Sequence, residues 1–75
     1  MRQLPMRVLV DVTTLTTNVP SGDDEAWRRM AKLADRDEDL RARGRSGYGV
    51  CTTVVIQGGD CVMIVDTLER EEIQQ

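Results

Sequence analysis

The chain has 75 residues and 8.4 kDa, with 40% hydrophobic and 31% charged residues and a formal net charge of −3. A chain this short supports one domain, whose folding removes only about 62% of the unfolded surface from water, so the expected core is small. It contains no histidine, and Trp27 and Tyr48 are its only aromatic residues, which removes the commonest general base and metal ligand and leaves too few rings for a base-stacking platform.

Met6 to Thr14 alternates Met6, Val8, Val10 and Val12 with Arg7, Leu9, Asp11 and Thr13, a period of two that predicts a strand. The pattern fades from Thr13 to Gly22, where Asn18, Pro20, Ser21 and Gly22 predict a loop. Ser21 with Asp24 matches a helix-capping signature, and Asp23, Asp24 and Glu25 place acids where the helix dipole favours them. The helix that follows is expected to bury Trp27, Met30 and Leu33, with Arg28, Arg29, Lys32 and Arg36 in solvent. The favoured reading is that it continues, straight or slightly kinked, to about Arg43 and stops at Gly44; the alternative is a break near Asp35 and a short second helix, capped by Asp35 with Glu38, that carries Leu40 inward.

Tyr48–Gln57 and Asp60–Leu68 are two β-rich runs around Gly58-Gly59, a hairpin signal because both glycines can take positive φ. With Gln57 opposite Asp60, one face carries Tyr48, Val50, Thr52, Val54, Ile56, Cys61, Met63 and Val65. The other carries Cys51, Thr53, Val55, Val62, Ile64 and Leu68. The tail from Leu68 is expected to be at most a short frayed helix. The predicted fold is therefore α+β, a single domain over residues 1–75 with one helix on a three-stranded sheet in β-α-β-β order and two layers. One helix covers one face, so Val55, Val62 and Ile64 on the other are expected to form a homodimer interface.

Asp11 and Asp66 lie in β-strand contexts, an arrangement in which paired acids can hold Mg²⁺. The segment Met6–Thr13 resembles the first strand of PIN-type ribonucleases. The resemblance covers that segment alone and the other acids of the chain find no match to it, so both residues are read as solvent-facing and no metal or cofactor is expected. Cys51 and Cys61, on opposite hairpin faces, are expected to be free thiols. Without a histidine, and with Lys32 as the one lysine, a Ser or Thr nucleophile has no evident base and no enzyme activity is expected.

The charge is uneven. Beyond Arg45 the acids Asp60, Asp66, Glu69, Glu71 and Glu72 face Arg70 alone, which makes the C-terminal end the acidic pole. Asp23, Asp24, Glu69, Glu71 and Glu72 are the candidate contacts to a host protein with a basic surface. Arg41, Arg43 and Arg45 form the basic cluster, a candidate phosphate site, but neighbouring acids offset it and nucleic acid is the less favoured partner. The functional expectation is a non-catalytic, partner-binding protein, a small acidic phage or mobile-element inhibitor of the anti-CRISPR or anti-defence type. The alternatives are a nucleic-acid-binding regulator or a subunit of a larger complex. With no basic leader and no apolar run long enough to span a bilayer, the expected location is cytoplasmic, without membrane contact.

Overall fold

Three β-rich runs associate with the last of them in the middle. The computed structural model describes residues 5–74, the side chain of Asp23 excepted. Its elements are β1 (Met6–Pro20), a 3₁₀ turn (Asp23–Glu25), α1 (Ala26–Arg45), β2 (Tyr48–Gln57) and β3 (Cys61–Gln74). The sheet order is β1-β3-β2 with both pairings antiparallel, and α1 packs on one face, giving the expected α+β domain. Among the described residues no helix is long and apolar enough to cross a membrane.

β1 is longer than its alternating core. It runs through the expected loop to Pro20, pairing from Met6 opposite Gln74 to Pro20 opposite Cys61. Thr14, Thr16, Thr17 and Val19 are β-branched and have a full partner in β3, so pairing overrides the turn formers. Pro20 is tolerated because it closes an edge strand. The same pairing corrects the tail: Leu68 to Gln74 is strand and not helix, held by Met6 to Thr13.

The capping signature at Ser21 is not used. The Ser21 N–H donates to the Asp60 carbonyl at 3.2 Å, closing the end of the sheet, and the helix is entered through the 3₁₀ turn without a side-chain cap. α1 is continuous, passes through Gly44 and ends at Arg45. The Ser46 N–H returns to the Arg43 carbonyl, and Gly47, at φ 91°, makes the left-handed exit that favours glycine.

At the hairpin Gln57 opposes Val62, two positions beyond the expected partner. The Gly58 N–H donates to the Cys61 carbonyl at 2.9 Å, so the tip is Gly59-Asp60, and neither Gly58 nor Gly59 has positive φ. Gly58 still suits the turn, because a Cβ there would lie 3.1 Å from the Cys61 carbonyl oxygen, a tight contact that the backbone would have to relieve by a few tenths of an ångström. A shift of two residues keeps each side chain on its face. The irregularity between Val50 and Thr52 does not: past Cys51, Tyr48 and Val50 move to the face of Leu68 and Arg70.

Which face the helix covers follows from burial. Thr17, Val19, Asp66 and Leu68 are buried, and cross-strand pairing puts Leu15, Val62, Ile64 and Val55 on that same face. The face expected to be bare is therefore the one beneath α1. Val62 and Ile64 are half-buried there, and Val55 is exposed at the β2 edge. The core is small and the molecule long: 64 × 21 × 14 Å, with a radius of gyration of 16.7 Å against about 11 Å for a compact chain of this length.

Candidate functional site

The rotation of α1 sets the surface of the molecule. Asp66, 0% exposed in the central strand, is an unlikely place for a charge unless it is paired. Arg36 reaches it from the helix with both nitrogens, Nε to Oδ2 and Nη2 to Oδ1, each at 2.8 Å, and the Thr53 hydroxyl adds a third bond at 2.7 Å. The Arg36 hydrogen bonds, supported by Thr53, hold the Asp66 carboxyl below its ordinary value although burial pushes it up. The carboxylate in turn raises the Arg36 pKa. Both residues differ from expectation, since each was assigned to solvent. A signal existed in the sequence: Asp66 has the same strand parity as Val62, Ile64 and Leu68, so it had to point inward and needed a cation.

Fixing Arg36 inward turns the apolar stripe outward. Trp27 lies nine residues earlier, two and a half turns at about 3.6 residues per turn, and so faces away from the sheet. Trp27 and Met30 are 70% and 71% exposed, Leu33 is at the helix flank, and α1 buries no residue fully. This corrects the expected Trp27/Met30/Leu33 core anchor. Pro20, Trp27, Ala31, Lys32 and Asp35 line a shallow hollow beside the stripe, and the Arg28 guanidinium lies 5.9 Å from the centre of the Trp27 ring.

A second polar row crosses the sheet past the end of the core. Asp11 and Tyr48 flank Arg70 from the two outer strands, the Tyr48 hydroxyl donates to Asp11 Oδ2, and Arg70 lies over the Tyr48 ring at 5.8 Å. That hydrogen bond lowers the Asp11 pKa and raises that of Tyr48. Tyr48→Phe should therefore raise the Asp11 pKa toward the ordinary carboxylate value in an NMR pH titration, and an unchanged Asp11 would show that the bond is not formed. Asp11 and Asp66 do not make a metal pair. Asp11 opposes Arg70, four residues or about 13 Å along β3 from Asp66, and each acid has its own partner. Among the described residues no group of His, Cys, Asp and Glu is placed to hold a metal ion.

The candidate partner acids form two separate groups. Asp24 is exposed and lines a hollow with Asp60 and Cys61 at the hairpin end, while the Asp23 side chain lies outside the described residues. Glu69, Glu71 and Glu72 sit eight to eleven residues further along β3, about 27–36 Å away, and Glu72 pairs with Arg70 at 3.6 Å. The basic cluster is partly neutralised: Arg41 and Arg45 lie 3.6 and 3.9 Å from Glu38, and Arg43 is exposed. Cys51 and Cys61 are free thiols, and Cys51 is exposed with its thiol donating to the Thr67 carbonyl at 3.2 Å.

With this geometry in hand, comparison with protein-family models, curated proteins and solved structures finds no match.

Proposed function

We propose that this chain is a non-catalytic binding protein that engages another protein through the outward stripe of α1. The observation that carries the reading is the exposure of Trp27 and Met30 on a helix whose opposite side is locked to the sheet by Arg36. Exposed Trp and Met side chains beside a hollow are the composition of an interface centre, where a few large anchors carry most of the binding energy. Three of the groups that acid-base or nucleophilic chemistry could draw on are engaged in structural contacts: Asp66 with Arg36, Asp11 with Tyr48, and Cys51 with Thr67.

The acidic hairpin end gives the reading its form. Asp24 and Asp60 at the hairpin end would meet a basic surface beside the apolar anchor, as an inhibitor of a nucleic-acid-handling host machine would, whereas Glu69 and Glu71 share the face of Met63 and Val65 on the far side of the sheet. The phage or anti-CRISPR inhibitor is thus the specific version of this proposal. The regulator reading is weaker, because Arg36 is withdrawn into the sheet and Arg41 and Arg45 share Glu38.

Affinity capture from the native host with quantitative mass spectrometry tests the proposal, with wild type beside the Trp27→Ala, Met30→Ala double variant. Loss of a hot-spot residue costs about 2 kcal/mol or more, so one host protein should be retained by wild type at least about 30-fold better than by the variant. Equal retention by both, or sub-micromolar binding of labelled DNA or RNA lost on Arg41→Glu with Arg43→Glu, would overturn it.

A further inference from the structure

The face of the sheet that α1 leaves bare has an unusual composition. Reading across β1, β3 and β2, its rows are Pro20 and Cys61, then Asn18, Met63 and Ile56, then Thr16, Val65 and Val54, then Thr14, Thr67 and Thr52. None of these side chains is charged, in a chain that is 31% charged. The solvated face of an antiparallel sheet is ordinarily its polar one, and here no element among the described residues lies over the apolar strip of Val54, Ile56, Met63 and Val65. Val54 and Ile56 are 53% and 51% exposed.

We infer that this face is covered by a second copy of the chain, the two sheets stacking face to face with both helices outward. Surface area leaves room for this occupant: the chain exposes 5828 Å², against about 4,600 Å² for a compact monomer of its mass, an excess that this face shares with the outward stripe of α1 and the β1–β3 ribbon.

Charge supports it. In a two-fold dimer a patch meets the same patch of its mate, so a self-binding face must not oppose like charges. The rows of Met63, Val65 and Thr67 satisfy that condition, while Asp24, Glu25, Arg28 and Asp60 stand beside Asn18, Pro20 and Cys61 at the hairpin end. The outer surface of α1, with Arg28, Glu38, Arg41 and Arg45 exposed, does not. The acids that repel two chains of net charge −3 lie mostly at the ends, with Asp60 in the hairpin tip and Glu69 bounding the neutral zone. Stacked sheets lie about 10 Å apart with side chains interdigitated, which would bury Val54, Ile56, Met63 and Val65 and turn each Trp27 away from the dimer. The inference is separable from the partner proposed for the helix, because Val54, Ile56, Met63 and Val65 and the outward stripe of α1 lie on opposite sides of the domain and the two surfaces adjoin only at the hairpin end, at Pro20.

Sedimentation equilibrium of the full chain is the test, beside the Val54→Lys, Ile56→Lys double variant. Wild type is expected near 17 kDa, twice the sequence mass, and the variant near 8.4 kDa, with the dissociation constant raised about 100-fold or more by unpaired charges in the contact. Trp27→Ala should remain dimeric. Thr16→Lys, an exposed position on β1, repeats the test should the double variant lose its circular dichroism signal. Mixing isotope-labelled and unlabelled chains should also give intermolecular NMR contacts among the methyl groups of Val54, Ile56, Met63 and Val65. A wild type that stays monomeric at about 100 μM, or a dimer that survives both lysine variants and shows no such contacts, overturns the inference. So does a dimer dispersed by Trp27→Ala in place of the lysine variants, which would put the contact on the helix.

Discussion

Arg36→Met should cost about 3–5 kcal/mol in urea unfolding at neutral pH, because it strands the Asp66 carboxylate, fully buried, with Thr53 as its remaining donor. A chain of this length has roughly 4–11 kcal/mol of stability in total, so the variant should be largely unfolded or close to it. Removing both charges with Arg36→Met and Asp66→Leu should recover most of the loss, since an apolar pair of similar volume often replaces a buried ion pair without penalty. A single variant within about 0.5 kcal/mol of wild type would mean that the pair does not hold α1 to the sheet.

The acid response follows from the same pair. The Asp66 pKa is lowered on folding, so the unfolded chain binds the proton more readily. Its contribution is present in full above the ordinary carboxylate value near 4 and is lost as pH falls from there through the depressed native value. Wild type should therefore lose stability on acidification below about pH 4, and the Arg36→Met, Asp66→Leu double variant should lose less over the same interval.

Leu68→Ala is the second large effect, about 2–5 kcal/mol by thermal or urea melting. Leu68 is 1% exposed, at the crossing of Thr13 on β1 and Val50 on β2 in the central strand, and among the described residues it and Val19 are the buried apolar side chains. So few buried groups leave little to close over the cavity. Ile73→Ala, on the exposed part of the same strand, should change stability by no more than about 0.5 kcal/mol. Equal losses at the two positions would mean that burial in the core is not what distinguishes them.

These effects bear on why the molecule is so extended. β1 and β3 continue as a two-stranded ribbon past the end of β2, from Met6–Leu9 opposite Glu71–Gln74, and Met6, Leu9 and Ile73 are exposed along it. A lone two-stranded ribbon is marginally stable in water. The stability of the sheet therefore rests on Leu68, Val19 and the Arg36–Asp66 pair, and beyond them on whatever covers the bare face.

The β-α-β-β order was legible in the sequence because it rests on local chemistry. Alternation marked the start of β1, the acidic run before Ala26 marked the helix entry, and the glycines at 58 and 59 marked the hairpin. The strand character of Thr16–Pro20 and of Leu68–Gln74 was not legible, because neither segment has a strong pattern and each is a strand through its pairing, the first with Cys61–Val65 and the second with Met6–Thr13. Strand order was open for the same reason, since only pairing puts β3 between β1 and β2.

The candidate site was hidden by a rotation. The spacing of Trp27, Met30 and Leu33 describes a stripe without saying which way it points, and apolar character alone turned it inward. A buried aspartate in the central strand decided otherwise. Leaving Asp66 unpaired costs more than exposing Trp27 and Met30, so the helix turns Arg36 to the sheet and its apolar stripe to the outside. Likewise, the bulge at Cys51, not visible in the residue types alone, moves Tyr48 and Val50 onto the face of Asp66, and the register at Gln57–Val62 sets which β3 residue each β2 residue meets. Local sequence determined the elements and most of their order; pairing and the needs of one buried charge decided which surfaces they present.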